Sequence, residues 1–169
     1  DISYFFNLSQ TRQLLLEKNI MKYCPDTRKL KLKDVCRTRW IERITGMDTF
    51  EELFIPIFFT LDEMSLNSRK QCNRDTSVKA SSLLRLISSF SFIVALVITR
   101  NIFDLTLGVT KLLQAKKIDI MSCNDMIETL KNVCSATRSN IEHYHSKWYQ
   151  QAISLAAQIG TNESLPRTV

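Results

Sequence analysis

A chain of 169 residues that is 44% hydrophobic is long enough and apolar enough to bury the core of one ordinary domain, which excludes extended disorder. Its 3 Gly and 3 Pro are too few for the many tight turns of a β-sandwich or barrel, so an elongated all-α multi-helix assembly is expected. A net charge of +6 admits an anionic partner without demanding one.

In chain order, Ile2 to Lys18 is the first helical candidate, with Tyr4, Phe5, Leu8, Leu15 and Leu16 spaced for one face. Cys24-Pro25-Asp26 ends that pattern, because the residue before a proline is pushed out of helical geometry. Leu30 to Val35 alternates apolar and basic residues, which predicts one short strand or an extended entry near 30–35. A long helix is then predicted from Thr38, capped by Thr38 or Asp34. Its stripe is Trp40, Ile44, Met47, Phe50, Phe54, Ile57, Phe58, Leu61 and Met64, and Pro56 should kink it or divide it near Phe54.

Asn67 to Thr76 is polar and aperiodic, a predicted loop. Helix resumes near Ser77, and the stretch reaching Leu113 is apolar nearly all round, which predicts a central, buried element. Its most apolar run, Phe90 to Ile98, is about half of the ~18 residues that a membrane span requires, so it reads as a core helix. Lys116 to Asp119 forms a polar turn, with Asp119 or Ser122 available as the next cap. From Ile120 to Ile159, apolar positions recur about every 3.67 residues, the rhythm of a nearly straight helix. Unbroken, it would reach about 60 Å, so a kink or an elongated body is expected; Gly160 should end it and Thr161 begin a tail.

Catalytic constellations are scarce. His143 and His145 point about 200° apart on a helix and cannot clamp one metal. The cysteines, at 24, 36, 72, 123 and 134, are odd in number and lack a C-x-x-C spacing, which predicts reduced thiols in an intracellular compartment. Glu51-Glu52 and Asp62-Glu63 are adjacent and diverge, as solvent-facing charges do. Phosphate-cradling loops and the G-x-S-x-G elbow are absent, and no small-molecule substrate is evident.

The charge is concentrated. Arg28, Lys29, Lys31, Lys33, Arg37, Arg39 and Arg43 crowd one stretch, opposed there by Asp34 and Glu42. Two readings stand. In one, Trp40 is the first core residue of its helix and the basic cluster is a solvated face, as in a helical protein–protein interaction scaffold without DNA binding. In the other, Trp40 stacks on an unpaired base while Arg37, Arg39 or Arg43 hold phosphates.

The chain resembles the helical middle of hAT-type transposase-like proteins, in the group related to the zinc-finger MYM-type proteins and the repressor of the inhibitor of the protein kinase. The resemblance is carried by FFNLSQ, by the C-x-T-R-W-x-E-R segment Cys36 to Arg43, by the block from Lys79 to Ile120, and by SKWYQQAISLAAQIG with Pro166-Arg167. It implies an RNase H-like catalytic domain interrupted by a helical insertion. Residues 1–37 would then be a remnant of the catalytic core, 38–160 the insertion and 161–169 a tail.

The family's acidic triad, which holds divalent metal (Mg) for DNA strand transfer, falls outside the matched region, so this chain is expected to have no catalytic residue, metal ligand or cofactor of its own. Arg39 and Trp40 match the family's R-W motif, whose Trp handles a base flipped from the cleaved end; Arg37 and Arg43 complete the expected DNA-binding set. The resemblance implies a nuclear role that either supports DNA transposition by a parent transposase or is a domesticated DNA-binding or regulatory one, with self-association through regions outside this chain and no membrane. Lacking an initiator Met, the chain reads as a piece of a longer protein.

Overall fold

The computed structural model describes residues 2–33, 40–66, 73–114 and 120–164. Within them the chain is all-α: α1 (Ile2–Asn7), α2 (Gln10–Tyr23), α3 (Trp40–Glu52), α4 (Phe54–Leu66), α5 (Arg74–Ile87), α6 (Phe90–Leu113), α7 (Ile120–Ser139) and α8 (Ile141–Gln158). Residues 30–33 form no strand, and the remainder of the predicted strand at 34–35 lies outside the described residues. So do the expected caps at Asp34, Thr38 and Asp119, the polar turn at Lys116 to Asp119 and most of the predicted loop. Ser122, the other proposed cap, lies inside α7.

One apolar core joins α1, α2 and α4 to α5, α6 and α8, with Phe6, Leu16, Leu53, Phe54, Ile57, Leu61, Ile87 and Ile93 fully enclosed. Burying each such side chain is worth roughly 1.5–3 kcal/mol. The polar groups drawn inward are satisfied: Asn19 donates to Thr60 Oγ1 at 3.0 Å, and Thr60 donates to the Pro56 carbonyl at 2.6 Å. Arg12 ties three helices together by donating to the Phe5 carbonyl (2.8 Å) and to Thr76 Oγ1 (3.3 Å).

Several elements expected to be continuous are divided. The first helix breaks at Leu8-Ser9, where Ser9 is extended (φ −145°, ψ 125°), and then runs on to Tyr23. Leu53, fully buried, separates α3 from α4, while Pro56 occupies the first turn of α4, where a missing donor is tolerated. Cys24 Sγ approaches the Glu52 carbonyl at 3.7 Å, the acceptor that an N–H at position 56 would have reached.

The loop boundary also moves: Asn73 caps α5 by accepting from Thr76 N at 2.9 Å, so Arg74 to Thr76 are helical. Ser88-Ser89 interrupts the predicted continuous apolar helix. Ser88 Oγ donates to the Leu84 carbonyl at 2.6 Å, and the Ser89 hydroxyl accepts from Phe92 N at 3.3 Å to start α6. Asn140, with its carbonyl accepting from His143 and Tyr144, divides the final helix into α7 and α8.

Burial corrects the reading of the central helix. Only Phe90, Ile93, Leu96 and Val97 of α6 are buried, and its second half is partly or fully exposed. The uninterrupted 24-residue α6 is also long and apolar enough to cross a membrane, unlike the shorter run read from sequence. Gly160 does end α8: its φ is +69°, with Thr161 N bonding to the Ala156 carbonyl (3.0 Å) and Gly160 N to Ala157 (3.1 Å). These two bonds are the 6→1 and 5→2 pair of a Schellman motif.

Candidate nucleic-acid interface

Trp40 opens α3, and its position follows from the helix period: the first buried residue of α3 is Ile44, one turn later. Trp40 is 39% exposed and lies outside the core. Phe103 of α6 meets it in an edge arrangement, centroids 5.1 Å apart and planes at 66°. The Arg43 guanidinium, three residues along the same helix, lies 5.8 Å from the indole centroid, within cation–π range. Arg37 and Arg39, the other two expected DNA contacts, lie outside the described residues.

Elsewhere in the basic cluster, Lys29 is engaged by Glu52 (2.6 Å), which also accepts a hydrogen bond from Thr27. Those two hydrogen bonds hold the Glu52 carboxyl below its usual range. Arg28, Lys31 and Lys33 are exposed. The stretch therefore presents cations on a non-helical segment before Trp40 and Arg43 on the helix after it.

The acidic residues are not simply solvent-facing. Glu51 pairs with Arg100 (3.0 Å), which also reaches Asp48 (3.3 Å) and Asp104 (2.9 Å), fastening α3 to α6 one turn from Phe103. Burial pushes the Glu51 carboxyl above its usual range, Arg100 opposing this and Asp48 and Asp104 adding to it. Because this group surrounds a guanidinium, it does not suit a divalent cation, and no set of three ligating side chains that could hold a metal occurs among the described residues. Glu63, of the second adjacent pair, lies 3.5 Å from Asn19 Nδ2.

His145 stacks on Tyr149 and His143 lies edge-on to Tyr144, so each imidazole has an aromatic neighbour. Cys24, Cys123 and Cys134 are free thiols; Cys36 and Cys72 lie outside the described residues. Phe103 and Arg100 were missed from sequence, since each joins the Trp40 region only when α6 packs across α3.

With that geometry in place, comparison with known proteins gives two relatives, both called 52 kDa repressor of the inhibitor of the protein kinase. The human protein is 26% identical over 170 residues and the mouse protein 25% identical over 171, each alignment covering 98% of this chain. The chain spans about a fifth (22%) of the length of these curated relatives. No family model matches it, and no solved structure matches it.

Proposed function

We propose that this chain is a non-catalytic helical part of a transposase-derived nuclear regulatory protein, contacting DNA through Arg37, Arg39, Trp40 and Arg43. The observation that carries the reading is the half-open Trp40 ring at the head of α3 with Arg43 beside it. An exposed aromatic next to cations suits an unpaired base and its phosphate, and each stacked base contributes about 1–3 kcal/mol. The similarity to proteins named as repressors supports a regulatory role over a catalytic one.

In this reading residues 1–37 belong to an RNase H-like core, 38–160 to its helical insertion and 161–169 to a tail. Metal-dependent chemistry, with Mg, then resides in other parts of the parent. Fluorescence anisotropy with labelled hairpin and single-stranded DNA tests the proposal. Binding should weaken steeply with salt, and Trp40→Ala should weaken it about tenfold or more with helicity unchanged. Absence of binding at low salt removes the reading.

A second reading, a protein-interaction scaffold, is favoured by the apolar side chains left open on α6 and α7: Ile102, Leu113, Met121, Ile127 and Val133. It predicts normal partner assembly by the Trp40→Ala protein.

A further inference from the structure

Five parts of the chain converge on an open apolar groove of about 400 Å³ that lies apart from Trp40. Leu32 and Lys33 form one wall, Met47 and Phe50 of α3 the floor beside them, and Leu86 of α5 and Leu96 of α6 the far side. The volume lies within the ~300–1,000 Å³ of ligand sites, but Leu86, 54% exposed, leaves the side open in a way that small-molecule pockets are not. An open trough of this kind accepts the side chains of a peptide, as apolar anchors from one face of a helix.

The wall supplies the sign. Lys33 is the only charged side chain among the described lining residues, and the exposed Arg28 and Lys31 lie on the same segment. The α3 carboxylates that flank Met47 and Phe50, Asp48 and Glu51, are already drawn to Arg100. A nucleic acid would find the cation but no polar floor, whereas a basic peptide would meet like charge at the rim.

We propose that this groove docks an acidic amphipathic peptide segment of a partner protein, its large apolar side chains entering beside Met47, Phe50 and Leu86 and a carboxylate meeting Lys33. Among the described residues the site is separate from the DNA reading, since neither Trp40 nor Arg43 lines it. The probe is a fluorescein-labelled fifteen-residue helical peptide with Leu, Phe and Leu at positions i, i+4 and i+7 and Asp or Glu on the flanks.

Anisotropy should show saturable binding, weakened about tenfold by Leu86→Glu and about threefold by Lys33→Glu, and unchanged by Trp40→Ala. In wild-type protein, the peptide should also shift the ¹³C-methyl resonance of Met47, a readout that does not depend on how any variant folds. The proposal is overturned by no binding at about 1 mM peptide, by equal binding of a version with Lys replacing Asp and Glu, or by binding that leaves the Met47 methyl unmoved.

Discussion

The two halves of α6 sit in contrasting surroundings. The first half, Phe90 to Val97, packs against α3 and α8 with four side chains buried, and belongs to the same core as Phe54, Leu61 and Trp148. In the second half Phe103 meets Trp40 of α3, α7 also packs on the helix, and among the described residues from 101 to 139 only Thr137 is buried. Similar apolar sequence has thus been given a full set of neighbours at one end and about half a set at the other. A helix with few neighbours has only a stripe of its surface covered, so its flanks remain in water. Amphipathicity establishes that a helix has something to bury, while the number of neighbours establishes how much of it is buried.

The largest expected break in that contrast comes from truncation. Phe54→Ala, which empties a fully enclosed site, should cost about 3–5 kcal/mol in urea unfolding. Val133→Ala, at a side chain 40% exposed, should cost under about 1 kcal/mol. If the two losses were equal, the contrast between the enclosed core that the first half of α6 joins and the open packing of α7 would not hold.

Next in size is the fastening between α3 and α6. Arg100→Ala leaves Asp48, Glu51 and Asp104 facing one another without their shared cation. It should cost about 1–2 kcal/mol, and less in high salt because Arg100 is partly open to water. A cost independent of salt would point to packing by the Arg100 stem instead. Gly160→Ala should cost roughly 1 kcal/mol by thermal melting, since φ is +69° there and the added Cβ meets open space rather than a clash.

The smallest effects distinguish two neighbouring carboxylates by pH. Glu51 has a raised folded pKa, so its contribution to stability is fully present below the unfolded pKa and is lost as pH rises through the folded value. Glu51→Gln should therefore raise the melting temperature slightly at pH 7 relative to wild type and leave it unchanged in acid. Glu52 has a lowered folded pKa; its contribution is present above the unfolded pKa and is lost as pH falls through the folded one. Glu52→Gln should lower the melting temperature slightly at pH 7, screened by its exposure. Shifts of the same sign in both variants would contradict the opposite environments assigned to this pair.

Much of the fold was legible because helical periodicity is local. In the stripe from Trp40 to Met64, Ile44, Phe54, Ile57, Leu61 and Met64 are nearly or fully buried, and the division near Phe54 falls one residue away, at Leu53. The breaks at Ser88-Ser89 and Asn140 were hidden because apolar spacing continues across them, while side-chain hydrogen bonds to the backbone do the interrupting. At the candidate interface, Trp40 and Arg43 were legible from their types and spacing. Phe103 was not, being 63 positions away in sequence.

The sequence by itself determined the helical class, the stripes that face a core, the stop at Gly160 and the place of the basic cluster, all set by interactions within a few residues. Only the tertiary structure decided that Trp40 stays half open against Phe103, that Arg100 gathers three carboxylates, and that the second half of α6 lacks a full complement of neighbours. Each depends on which helix lies across which. Helix crossing is a property of the whole packed assembly, and apolar periodicity does not encode which neighbour a stripe will meet.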